Sequence, residues 1–130
     1  MAEAKGVLIA GEIQEGKLSS TTRELLAVGR RLADALGEPQ AVALCGTNLS
    51  SLAQEAITLG ADKVYMAEDP NLKDFQLELH ISALEQVCNQ VVPGIVLVAR
   101  TQAGRDLAPR LAFRLGVGLA QDCTEVKIDP

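Results

Sequence analysis

The stretch Gly94-Ile95-Val96-Leu97-Val98-Ala99-Arg100-Thr101-Gln102-Ala103-Gly104-Arg105-Asp106-Leu107-Ala108-Pro109-Arg110-Leu111-Ala112-Phe113-Arg114-Leu115-Gly116 decides the fold. Gly94 to Ala99 is an apolar run of strand length, and it leads into a glycine-containing turn and an amphipathic helix. A buried strand that delivers its turn to a helix start is the junction at which α/β domains gather their ligand and partner sites. Leu111, Ala112 and Leu115 supply the inward face, and Gly116 stands where the helix would stop. With Asp106 as N-cap, Pro109 falls in the first turn, where a missing N–H costs little.

The same alternation repeats upstream. Gly6 to Ile13 is a near-continuous apolar segment, as expected for a central strand covered on both faces. Gln14 to Ser20 reads as a loop. Thr21 with Glu24 forms a capping-box pattern, followed by Leu25, Val28, Leu32 and Leu36 at helical spacing and a stop at Gly37. Ala41 to Cys45 is a second strand, and Ser51 with Gln54 offers another capping box ahead of a helix that ends near Gly60. Lys63 to Ala67 is a third strand, Glu68 to Asn71 a turn. Phe75 to Val91 then carries a stripe of Leu77, Ile81, Leu84, Cys88 and Val91. Leu119-Ala120 and Val126 to Ile128 read as further short strands. Alternation on this scale predicts a three-layer α/β/α sandwich, Rossmann-like, with a mainly parallel sheet.

Composition bounds the function. The 130 residues, 48% of them hydrophobic, fit one domain. Tyr65, Phe75 and Phe113 are the aromatic residues and there is no Trp, which argues against a base-stacking surface. A net charge of −5 offers no basic footprint for nucleic acid or an anionic membrane. The start, Met1-Ala2-Glu3-Ala4-Lys5, lacks a signal-peptide pattern, and no apolar run approaches the roughly 20 residues of a membrane helix. A cytoplasmic protein is expected. Cys45, Cys88 and Cys123 are odd in number and widely spaced, which fits reduced thiols better than a metal site or a disulfide framework.

The block Thr101-x-x-Gly104-Arg105-Asp106-Leu107-Ala108-Pro109-x-Leu111-Ala112-x-Arg114-Leu115-Gly116-x-Gly118 resembles the amino-terminal half of the electron transfer flavoprotein alpha subunit. Val7 to Glu12, Gly60 to Tyr65 and Asp122 to Glu125 support the resemblance in the same order along the chain. It implies the strand order 3-2-1-4-5 of adenine-nucleotide alpha-hydrolase-like domains. It also implies that residues 1–130 are a scaffold and partner-contact domain without a catalytic site of its own. In the intact family protein, FAD is held mainly by a carboxy-terminal domain that this chain does not contain. That protein pairs with a beta subunit, where AMP is expected, and carries electrons from dehydrogenases to an acceptor.

In that strand order, the loops Gly11 to Ser20 and Arg100 to Asp106 border one crevice. Two readings of it stand side by side. In one, Thr101, Gly104, Arg105 and Asp106 form a nucleotide or anion pocket, with main-chain N–H groups and the helix dipole holding a phosphate, as in a free-standing adenine-nucleotide module of the universal-stress type. In the other, Asp106 caps its helix, Arg100 and Arg105 pair with carboxylates, and Gly104 permits a tight turn. Neither G-x-G-x-x-G nor G-x-x-x-x-G-K-[ST] occurs in the chain. Arg110 and Arg114 share a helix face and are either solvated or engaged at an interface. His80 reads as an ordinary helix position without a nucleophile beside it, and Asp122, Glu125 and Asp129 as solvated charges. The scaffold reading further predicts an exposed apolar patch where a partner belongs.

Overall fold

Strand β1 (Val7–Ala10) is buried at every position, because it runs between two neighbours and beneath helices on both sides. It pairs in parallel with β4 (Gln40–Gly46), in the register Ile9↔Val42, and with β6 (Ile95–Val98), in the register Ile9↔Leu97. β5 (Lys63–Glu68) adds to the far side of β4, so the sheet order is β5-β4-β1-β6. This is the 3-2-1-4 part of the expected order. This computed structural model describes residues 5–72 and 76–115; the strands expected at Leu119-Ala120 and Val126 to Ile128, the helix stop at Gly116, Phe75, Cys123 and the acidic group at Asp122, Glu125 and Asp129 lie outside them.

Side chains on a strand alternate between faces, and here each face has its own helices. Val7, Ile9, Val42 and Leu44 pack with Leu26, Leu32 and Ala33 of α1 (Ser20–Leu36) and with Leu52 and Ala56 of α2 (Ser50–Thr58). Leu8, Ala10, Ala41 and Ala43 pack with Ile81, Leu84 and Val87 of α3 (Leu77–Val91) and with Leu107 and Leu111 of α4 (Gln102–Leu115). Both layers of the expected sandwich are therefore present. Burying each such aliphatic side chain contributes about 1.5–3 kcal/mol.

Local expectations are corrected at several points. The segment read as a loop contains a short hairpin, β2 (Ile13–Gln14) with β3 (Lys17–Leu18), turned by Glu15 and Gly16 at φ 52° and 75°. Positive φ at both turn residues matches the twist of a tight hairpin. α1 is capped by Ser19, whose Oγ accepts from the Thr22 N–H at 3.1 Å, and not by Thr21 with Glu24. Thr22 is drawn inward instead, its Oγ1 accepting from the Glu12 N–H at 2.8 Å. α2 starts at Ser50, without a side-chain cap, so Ser51 and Gln54 form no box. The buried stripe of α1 is Thr22, Leu26, Gly29, Leu32 and Ala33, with Leu36 exposed. It is rotated from the expected one because Gly29, not an apolar side chain, faces the sheet.

Gly29 lies over Gln40, which is fully buried and begins β4. The Gln40 amide donates to the Gly60 carbonyl at 3.1 Å, and its Oε1 has no conventional donor. A Cβ at Gly29 would overlap that oxygen, so the glycine's own C–H points at it, a weak C–H···O contact. Asp62 Oδ2 accepts from the Gln40 N–H and from Arg30 at 2.9 and 3.0 Å. Those donors, the Gln40 N–H foremost, hold the Asp62 carboxyl below the usual range.

Gly29→Ala should therefore destabilise the fold by about 1–3 kcal/mol through overpacking, although alanine in a helix interior gains about 1 kcal/mol over glycine. Adding Gln40→Ala should restore part of the loss, and thermal unfolding of the two single variants and the double variant reads this non-additivity directly.

Candidate functional site

The loops after β1 and β6 meet at the carboxyl end of the sheet because β4 and β6 flank β1 on opposite sides. The contact is one hydrogen bond: Thr101 Oγ1 donates to Glu12 Oε2 at 2.6 Å. Thr101 Oγ1 also accepts from the Gly104 N–H at 3.0 Å, and the Thr101 carbonyl accepts the first helical bond, from Arg105 N–H at 2.8 Å. Thr101 is thus the N-cap of α4, and the expectation that Asp106 fills that role is corrected. The helix begins five residues earlier than an Asp106 cap allows, because Glu12 fixes the Thr101 hydroxyl in place.

The correction moves Pro109 into the helix interior. An interior proline costs about 3 kcal/mol and frees the carbonyl four residues back. Here that carbonyl belongs to Arg105, and both Arg105 and Pro109 are exposed, so water can reach it. Burial of Leu107 and Leu111 offsets the cost, and Arg110 and Arg114 both bind the Glu78 carboxylate of α3 in exposed pairs that add at most about 1 kcal/mol each. These two arginines therefore clamp α3 to α4 within the domain.

Of the four residues expected at the crevice, Thr101 and Gly104 are brought together and Arg105 and Asp106 are exposed on the first turns of α4. Gly104 is buried, and a Cβ there would overlap the Ala99 carbonyl oxygen. Its lack of a side chain lets the helix start sit on the end of β6. Beside this junction, a cleft of about 610 Å³ opens over the ends of β1 and β4, with Glu12, Glu15, Cys45, Thr47, Asn48 and His80 among its lining residues. Glu12 was legible as the first polar residue after a buried strand, but nothing in the spacing joined it to Thr101 across 89 positions. His80 is half-buried on α3, with Nδ1 at 2.9 Å from the Gln76 carbonyl oxygen. Burial pushes the Cys45 thiol up to about 11, and burial followed by Glu85 does the same for Cys88. Both are protonated at neutral pH and poor nucleophiles. Among the described residues, no group of three or more His, Cys, Asp or Glu is placed to hold a metal ion, and no helix is long and apolar enough to cross a membrane.

Residues 7–130 match the family described as electron transfer flavoprotein domain. The chain belongs to the electron transfer flavoprotein domain family. It is 39% identical over 129 residues to the electron transfer flavoprotein subunit alpha of Megasphaera elsdenii, covering 99% of this chain and 38% of that one. Against the subunit alpha of Bacillus subtilis, identity is 39% over 125 residues, 95% of this chain and 38% of the relative. The lactate dehydrogenase (NAD(+),ferredoxin) subunit LctC of Acetobacterium woodii is 38% identical over 120 residues, 92% of this chain and 29% of its own length. The chain thus spans less than two-fifths of these relatives. In this family member, the block Gly104 to Ala112 within the run that carries the resemblance lies inside α4, and the run's first residue, Thr101, is held by Glu12.

Two substitutions separate cap from packing. Thr101→Val should destabilise by about 1–2 kcal/mol, the loss of an N-cap and of a bond to a charged partner. Gly104→Ala should cost about 3 kcal/mol, because the obstructing atom is backbone rather than a flexible side chain. Chemical denaturation with unchanged m-values checks both.

Proposed function

We propose that this chain is the amino-terminal scaffold and partner-contact domain of an electron transfer flavoprotein alpha subunit. In this reading the intact alpha subunit, with a beta subunit, carries electrons from dehydrogenases to an acceptor in the cytoplasm. FAD is held by the carboxy-terminal part of the alpha subunit, AMP by the beta subunit, and residues 1–130 have no catalytic site of their own.

The observation that carries this reading is the Glu12–Thr101–Gly104 junction. A nucleotide's phosphates need free N–H groups at a helix start and a positive potential. Here the Thr101 hydroxyl takes the Gly104 N–H, and the Glu12 carboxylate lies against that hydroxyl. Glu12 and Glu15 both line the neighbouring cleft, which adds like charge where a diphosphate would sit. The described residues at this junction do not fit the pyrophosphate of FAD, which supports assigning its redox chemistry to other parts of the intact flavoprotein.

Partner contact is supported by α4. Phe113 is 88% exposed, the largest exposure among the large hydrophobic residues described. It borders a shallow hollow with Pro109, Arg110, Arg114 and Glu78. An exposed aromatic beside arginines is the composition of an interface anchor.

The test uses the alpha subunit at full length, co-expressed with its beta subunit. Phe113→Asp should weaken subunit association by about 2 kcal/mol or more, roughly 30-fold, while the 130-residue chain bearing it keeps the wild-type melting temperature. Titration of the 130-residue chain with ATP or AMP should give no saturable heat. Saturable binding there, weakened by substitutions at the Thr101 turn, would replace the scaffold reading with a free-standing nucleotide module.

A further inference from the structure

β5 closes one side of the four-stranded sheet, and among the described residues no strand pairs with its outer edge. Sheet edges are ordinarily protected by charged side chains, proline, bulges, short length or a covering helix or loop, and the charges of β5 stand only at its ends, Lys63 and Glu68. β5 has six residues, pairs with β4 without a break from Lys63 to Glu68, and carries Val64, Tyr65, Met66 and Ala67 uncharged along its middle. Met66 is 49% exposed, and α2, which packs beside β5, leaves Ile57 47% exposed.

The backbone settles which groups are unused. Val7 and Gly11 donate to the carbonyls of Pro39 and Ala43, so the odd-numbered residues of β4 turn toward β1 and the even-numbered ones toward β5. Asp69 N–H accordingly reaches the Gly46 carbonyl. By the alternation of a strand, Lys63, Tyr65 and Ala67 turn to β4, while Val64, Met66 and Glu68 present their N–H and C=O groups outward.

We propose that two copies of this protein associate by antiparallel pairing of β5 with β5, about a two-fold axis through Met66. A two-fold perpendicular to the sheet keeps each face on its own side, so opposed residue numbers must sum to an even value. Three registers use the outward groups. Centred on Tyr65, Asp62 opposes the second copy's Glu68, like charge against like. Centred on Ala67, Val64 opposes Pro70, which has no N–H to give. Centred on Met66, Met66 opposes itself, Val64 opposes Glu68, Tyr65 opposes Ala67, and Lys63 opposes Asp69. The outward backbone groups are all used, and the two-fold supplies two Lys63–Asp69 pairs. Both members are exposed in the single chain. Self-complementarity of charge and hydrogen bonding in one register selects a second copy as the occupant. Pairing at β5 is independent of the flavoprotein role.

Sedimentation of the 130-residue chain over a wide concentration range tests it. The expected result is a reversible monomer–dimer equilibrium. Met66→Lys, which sets two ammonium groups together on the axis, should abolish the dimer. Lys63→Glu should weaken it about tenfold by opposing Asp69 with like charge, and Lys63→Glu combined with Asp69→Lys should restore it. All three changes are at exposed positions, so melting curves should show the fold retained. A wild-type chain that stays monomeric, a dimer indifferent to Met66→Lys, or a charge swap that restores nothing would each overturn the proposal.

Discussion

The need to cover both faces of β1 governs this domain. A parallel strand with neighbours on each side exposes two apolar faces, and Val7, Leu8, Ile9 and Ala10 leave neither polar. Bulky aromatic side chains are scarce, so the helices approach on Ala, Val, Leu and Ile, at short distance. Close approach then demands glycine where helix backbone meets the sheet layer. Gly29 meets the buried Gln40 amide on one face, and Gly104 meets the Ala99 carbonyl on the other. These two positions hold opposite layers against the same sheet.

The crevice is a consequence of that arrangement. With β4 and β6 on either side of β1, the chain leaves β1 and β6 at neighbouring points, and something must hold the two exits together. A short, charge-assisted hydrogen bond from Thr101 to Glu12 does so. One hydroxyl thereby caps α4 and ties it to the β1 loop. The Glu12 backbone N–H is engaged in turn by Thr22 of α1, so helices from both layers converge on one residue. The Thr101 hydroxyl thus has both its donor and an acceptor position committed to structure.

The elements themselves were legible because their signals are local: four apolar strand segments, helical stripes, and stops such as Gly37, which takes φ 65° after α1. What escaped depends on partners distant in sequence. Asp106 precedes Pro109 at the right interval for a cap, and only the position of Glu12 makes Thr101 the better one. Ser19 outcompetes Thr21 for the α1 cap because the Glu12 backbone draws Thr22 inward. The stripe of α1 departs from its apolar periodicity because its deepest member is Gly29, invisible to a count of apolar side chains. At the crevice, Thr101 and Gly104 were legible as turn residues, but their bonds were not, since the acidic partner Glu12 comes from the opposite end of the chain.

The surfaces left over differ in kind, and the difference bears on how the domain could be used. Phe113 offers apolar area on α4, which lies over the β1 and β6 side of the sheet; such contact is strong but not directional. The β5 edge lies at the other side and offers backbone donors and acceptors in a fixed order, where a shift of one residue turns every side chain to the wrong face. Tyr65 of β5 packs into the same apolar cluster as Leu107 and Leu111 of α4, so the two surfaces belong to one layer, one read by apolar area and the other by register.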